Sequence, residues 1–348
     1  MIEDRIYCSS SYLMYRTIAN HNFSFSTKYP PNFYVEKNDY SQIHNSLELE
    51  EYLKNSVEKI CSSKKTALAL SGGIDSAILA KFMPRGSIAY TFKCVVPGKT
   101  VIDETKQAAK YAKECGLEHR VIEIYWEDFE NYLPDLMLHK GAPAHSIEVQ
   151  IYKAGLQAIR DGNEAIIYGE SSDLNYGGLS GILSKDWTVG EFLDRYSYVN
   201  PSHVLKEFCI ITDPITQYEN NGFINVHEFD RGFFFNEAMG SYTNACEKAG
   251  IELSTPYAET RMAVPLDLER IRRGDNKYLV RELFHRLYPS FIVPPKTPMP
   301  RPMDEWFRNW TGPFRAEFWP NCTKNMTGDQ KYYVWALEKF LSLIDSDK

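Results

Sequence analysis

The chain has 348 residues, 43% of them hydrophobic and 24% charged, which is the composition of a folded globular protein of one large domain or two small ones. A formal charge of −7 argues against a non-specific nucleic-acid binder and leaves room for a local basic pocket. No apolar run approaches the roughly 18 residues of a membrane span, and seven cysteines without a CxxC pair suggest reduced thiols in a cytoplasm, not a disulfide frame or zinc site.

Residues 1 to about 43 are aromatic and polar without a clean helical period and read as loops and short edge strands, with Pro30-Pro31 as a breaker. The start, MIEDRIYCSS, lacks the order of a secretory leader. SLELEEYLKNSVEKICSS carries Leu47, Leu49, Tyr52, Leu53, Val57 and Ile60 at roughly helical spacing and reads as a helix. Strands and helices then alternate. TALAL runs into the helix DSAILAKFM, and SIAYTFKC into DETKQAAKYAKEC, which Gly116 ends. HRVIEIYW precedes a helix near SIEVQIYKAGLQAIRDG and the strand EAIIYG. Strands separated by helices of about 10 to 15 residues predict an α/β fold with a doubly wound parallel sheet and right-handed crossovers. Beyond about residue 190 the pattern is mostly helical, and KYYVWALEKFLSLI is a closing amphipathic helix. The expected organisation is an N-terminal extension over 1–62, an α/β core over 63–190, and a mainly helical part over 191–348 that completes the site.

The chemistry concentrates where TALAL becomes a helix. Ligands of an open parallel sheet sit at the carboxyl ends of the strands, and Ser71-Gly72-Gly73-Ile74-Asp75-Ser76 falls at such an end. Gly72 and Gly73 let backbone N–H groups approach an anion, the helix amino end adds partial positive charge, and Ser71 and Ser76 can donate hydroxyls. No Lys-Ser/Thr follows the glycines, so the loop is not a Walker A motif, and the GxGxxG spacing of a dinucleotide site is absent. An acid inside an anion cradle fits a magnesium ligand serving a phosphate, which makes Asp75 the informative residue. The bland reading is a strand-to-helix turn with a capping Asp.

This loop resembles the pyrophosphatase (PP) loop of the enzymes that cleave ATP between its α and β phosphates: asparagine, β-lactam, GMP and NAD synthetases and tRNA thiolases. Further matches, in order from about 63 to 310, single out the asparagine synthetase branch. DETKQAAKYAKECGLEHRVIEI looks like the segment in which Asp-Glu opens a helix. AIIYGESSDLNYGG is similar to the family's second signature, and AGIELSTPYAE to its Gly-x-Glu-x-Arg-x-Pro-Phe-Leu-Asp run. NKYLVRELFHRLYPSFIVPPKTPMPRPMDEW places Lys277 and Arg281 in a Lys-x-x-Leu-Arg-like helix and Lys296 in the next loop.

The resemblance implies ATP as substrate, with Leu70, Ser71, Gly72, Gly73, Asp75, Ser76, Phe92 and Gly169 around the nucleotide. It also implies Mg²⁺ held by Asp75 and Asp173, whose two strand ends bring them over one crevice in a parallel sheet. Glu170 is the expected base for an attacking amine, and Lys277 and Lys296 are the cations that meet the departing pyrophosphate. β-Lactam synthetases carry a tyrosine where this chain has Glu170, which favours an asparagine-synthetase-like reaction over ring closure. Ser254 stands where the family has arginine, and Glu259 replaces its aspartate, so the acid pocket differs from the aspartate site. A glutaminase half needs cysteine as residue one of the mature chain, and Ile2 follows Met1 here; glutamine hydrolysis is not expected.

The expected function is an ATP-dependent amide-forming synthetase. It adenylates a carboxylate to AMP-ester and pyrophosphate, then transfers nitrogen from ammonia, an amine or a separate glutaminase. The substrates are small molecules, an acid or a nucleotide, and nothing in the sequence opposes a homo-oligomer. The rival chemistry is adenylation of a nucleobase or nucleotide carbonyl oxygen for sulfur or nitrogen transfer. Cys94, at the end of its strand, is the thiol placed for a persulfide, and Cys115 falls on the far side. A non-catalytic nucleotide-binding module is the third reading.

Overall fold

Every residue of the strand Thr66–Ala69 is buried, because both of its faces are covered. Its side chains alternate: Ala67 and Ala69 enter one apolar cluster, and Leu68 and the following Leu70 enter another. In the computed structural model, which describes residues 1–36, 39–295 and 299–346, this strand (β1) is the centre of a five-stranded sheet. The other strands are β2, Ile88–Cys94; β3, Glu118–Ile124; β4, Ala165–Ile167; and β5, Glu252–Ser254. All four pairings are parallel, in the spatial order β5-β4-β1-β2-β3. The winding direction reverses between β1 and β4, so a crevice opens outside their carboxyl ends.

Ten helices frame the sheet and the site: α1, Arg5–Tyr15; α2, Ser46–Ser63; α3, Ile74–Phe82; α4, Thr105–Cys115; α5, Trp126–Lys140; α6, Glu148–Arg160; α7, Ser172–Asn175; α8, Phe235–Ala249; α9, Tyr278–Leu287; and α10, Gly328–Ser346. One face of the sheet packs against α2, α3, α4 and α9 through Leu53, Ile78, Tyr111 and Leu283. The other packs against α1, α5, α6, α8 and α10 through Tyr12, Leu133, Val149, Tyr242 and Phe340. The doubly wound parallel sheet is therefore as expected, and α2 and α6 lie where the apolar periodicity placed them.

Three elements depart from the expectation. Residues 5–15 form a helix where loops and edge strands were read. Asp4 caps it by accepting the N–H of Tyr7 at 2.8 Å. Every residue from Cys8 to Tyr15 is buried, so it shows no polar face and no amphipathic period. Helix α5 follows β3 directly and carries Pro134 in its interior, which obscures the helical pattern. The third departure is β5, which comes from the C-terminal stretch and pairs residue for residue with β4, Glu252 to Ala165 and Ser254 to Ile167. Both apolar clusters draw on residues from 1–62, 63–190 and 191–348 alike. Among the described residues no helix is long and apolar enough to cross a membrane.

Candidate active site

The chain leaves β1 at Leu70, whose carbonyl accepts the Thr91 hydroxyl of β2 at 2.6 Å. The loop that follows is tied to itself. Ser76 Oγ accepts the Ser71 N–H at 2.9 Å and bonds Ser71 Oγ at 2.9 Å, while Gly73 N–H donates to Ser71 Oγ at 3.1 Å. Gly73 is the residue before α3, and among the described residues no side chain caps that helix. Its amino end is a set of unclaimed N–H groups with partial positive charge, facing the crevice.

At the end of β4, Gly169 lies against this loop. A Cβ there would meet the Ser76 nitrogen at 3.1 Å and Asp75 Cβ at 3.2 Å, so the close approach favours glycine. The chain then turns through Ser171, a non-glycine residue at φ 69°, into the short helix α7. Ser172 donates to Asp75 Oδ1 at 2.7 Å, which ties the second strand end to the first. Gly178 lets the chain fold back on Asp173, since a Cβ there would fall 1.9 Å from Asp173 Oδ1.

These two strand ends and the start of α9 enclose a cleft of about 290 Å³. Leu70, Ser71, Gly73, Asp75, Ser76, Phe92, Gly169, Glu170, Asp173 and Lys277 all line it, so most of the residues singled out in the sequence come together. Gly72 does not line it: Glu104 closes over this glycine and its carboxylate accepts the Gly72 N–H. Lys296 lies outside the described residues.

Lys277 ties the acids together. Its Nζ bonds Asp75 Oδ1 and stands 3.1 Å from Asp173 Oδ1, with the residue only 5% exposed. Burial opposes its charge, but Asp173 and Asp75 outweigh that and hold its pKa above the ordinary lysine value. The residue adopts the left-handed backbone, φ 54°, immediately before α9. Such strain in a non-glycine residue persists only where its surroundings hold it.

Glu170 sits deeper. Desolvation raises its pKa; the Ser171 N–H and the Tyr242 hydroxyl counter this by donating to it, and Asp173 and Glu237 add repulsion. A carboxylate held there with a raised proton affinity suits a group that must take up a proton.

Of the lining residues not picked out as site residues, four bear on the chemistry. Glu104 faces the anion loop, with burial pushing its carboxyl up to about 7; its signal was the Asp-Glu that opens the α4 segment. Tyr242, from α8, left no mark in the sequence. Tyr168 presents a buried hydroxyl with no partner among the described residues, a place for a polar ligand atom. Arg281, one turn into α9, adds a second cation. Cys94 and Cys115 are both buried. Cys94 is 1% exposed, donates to the Pro300 carbonyl at 3.0 Å, and has its pKa pushed up to about 12. Cys115 is buried against the Tyr288 hydroxyl at 3.2 Å.

The sequence model of the asparagine synthase family matches residues 48–319, most of the chain and every described residue of the cleft. The chain belongs to the asparagine synthase family. Membership of the asparagine synthase family makes it, in general terms, an ATP-using synthetase that forms carbon–nitrogen bonds. No curated protein matches the sequence. Among solved structures the chain is similar to the NH3-dependent NAD synthetase from Campylobacter jejuni subsp. jejuni NCTC 11168, in complex with the nitrate ion. The identity is 18% over 38% of this chain, with a TM-score of 0.24, and the match spans 58% of that synthetase. It is also similar to NMN synthetase from Francisella tularensis, at 13% identity over 73% of this chain and all of that one, with a TM-score of 0.29.

Proposed function

We propose that this protein adenylates a carboxylic acid with ATP and passes the acyl group to a nitrogen nucleophile. The observation that carries the reading is the meeting of the anion loop, Asp75, Asp173, Lys277 and Glu170 in one cleft at the point where the sheet reverses its winding. The uncapped amino end of α3 and the missing side chain at Gly73 fit a triphosphate. Asp75 and Asp173 are hard oxygen donors at one point and would hold Mg²⁺, which screens charge on the phosphates when bound.

A carboxylate oxygen of the acid attacks the α-phosphorus and pyrophosphate departs toward Ser71–Ser76, where N–H groups, hydroxyls and Lys277 meet its negative charge. The nitrogen nucleophile then attacks the acyl carbon, Glu170 accepts its proton, and AMP leaves with the electrons of the broken C–O bond. The sulfur-transfer alternative finds no support in Cys94, which is buried with a raised pKa. The test is the product of ATP turnover over a panel of acids, each with and without ammonium. AMP and pyrophosphate are expected; ADP and phosphate would end this reading.

A further inference from the structure

Both proposed metal ligands point at an ammonium. Asp75 Oδ1 and Asp173 Oδ1 converge on Lys277 Nζ, and the lysine is buried at the bottom of the cleft. Mg²⁺ takes oxygen ligands at about 2.0–2.1 Å, so an ion bridging these two oxygens would lie almost where Nζ already is. The ion and Nζ cannot occupy one point, so they compete for the same pair of oxygens, and each repels the other in a partly desolvated cleft. Nothing else relieves this: among the described residues no third Asp, Glu, His or Cys joins the pair to make a metal cluster. Lysine, unlike a fixed ligand, is a point charge on a four-carbon stem, and its backbone is held in the left-handed region directly before α9. It can leave the acids only for another anion nearby, and the amino end of α3 is the place prepared for one.

We infer that Lys277 is a built-in counter-ion that occupies the Asp75–Asp173 site until a triphosphate arrives, so that the divalent metal enters with the nucleotide and not before it. The inference rests on the ATP reading above. Lys277 exchanges the two carboxylates for phosphate oxygens, and the metal takes its place between the acids. The arrangement keeps two carboxylates from facing each other unneutralised in the empty cleft, and makes metal occupancy conditional on substrate.

Mn²⁺ binding to the nucleotide-free protein, followed by loss of the free-ion electron paramagnetic resonance signal, tests this without turnover. The wild-type protein is expected to take up no Mn²⁺ at the pair. Lys277→Met and Lys277→Gln should each gain one site, at least about tenfold tighter than any wild-type binding, and adding Asp173→Asn should abolish it. If wild-type protein binds one Mn²⁺ as tightly as the variants, and Asp173→Asn removes it, metal and lysine coexist and the inference falls. It falls equally if the variants are folded by circular dichroism and gain no site. Should neither variant fold, the wild-type and Asp173→Asn measurements decide: Mn²⁺ bound and lost with the acid overturns the inference, and none bound supports it. Calorimetric binding of an α,β-methylene ATP analogue with Mg²⁺ reads the ATP assignment separately; its failure would remove the nucleotide while leaving the Mn²⁺ result to stand.

Discussion

Replacing Glu170 by glutamine keeps the shape of the side chain and removes its ability to take a proton. In the fold the change is mild. The carboxylate accepts the Ser171 N–H and the Tyr242 hydroxyl, and glutamine keeps one acceptor oxygen for them, so at most one donor is left unpaired, a cost of about 1–3 kcal/mol. Against this, the substitution removes a desolvated charge that Asp173 and Glu237 repel. The variant should fold, and its stability should lose a pH dependence the parent has. Glu170 binds its proton more tightly folded than unfolded, so the native state holds more protons above the ordinary glutamate pKa. Its contribution to stability therefore declines as pH rises through the raised native value.

Chemistry should show the larger effect. A positioned general base contributes about 10²- to 10⁴-fold, and only the nitrogen step uses this one. Rapid-quench experiments with ATP and the right acid should find an acyl-adenylate that persists or hydrolyses instead of becoming amide. Hydroxylamine, which needs less help, should trap it with a smaller defect than the natural donor suffers. In the parent enzyme the amide step should fall as pH drops through the raised pKa of Glu170, and Glu170→Gln should flatten that limb. A folded Glu170→Gln protein that forms no adenylate at all would refute the base assignment and move the residue to the first half-reaction.

Asp75→Asn should abolish turnover, as should Asp173→Asn. Because Asp75 shares Lys277 with Asp173, its loss leaves the buried ammonium with one partner instead of none, so stability should fall by about 1–3 kcal/mol, less than for a pair fully broken; near-normal activity at saturating Mg²⁺ would contradict the shared-site geometry. Gly178→Ala drives a methyl to within 1.9 Å of Asp173 Oδ1 and 2.8 Å of Asp173 Cα. It should cost about 1–3 kcal/mol in thermal denaturation and at least about 10²-fold in pyrophosphate release through misplacement of Asp173; a variant with parental kinetics would show that Asp173 does not act where it now stands.

Much of the site was legible because its first part is local. Leu70 to Ser76 is a strand end, a glycine turn and a helix start within seven residues, and backbone sterics plus the anion-binding property of helix ends act at that range. Helices α2 and α6 could be read for a similar reason: each buries one face, and burial on one face writes a period into the sequence. Helix α1 buries nearly everything from Cys8 onward, so no period survives, and its place against α10 is settled by packing alone. The short β5 segment, Glu252–Ser254, looks like any three residues before a turn until β4 offers an edge to pair with.

Local pattern is enough to place an anion loop with a carboxylate at the end of a parallel strand, Glu170 and Asp173 after a second strand end, and lysines farther along. Which of these meet depends on how the elements pack. Asp75 and Lys277 are 202 positions apart and touch because α9 packs on α3. Tyr242 reaches Glu170 because α8 lies against the opposite face of the sheet. Gly72 turns away from the cleft because Glu104 folds over it. Spacing along the chain constrains only neighbours, whereas an ion pair or a proton acceptor forms where packed elements bring distant side chains within a few ångströms. The lysine between the two acids is a consequence of that packing, and no local pattern announces it.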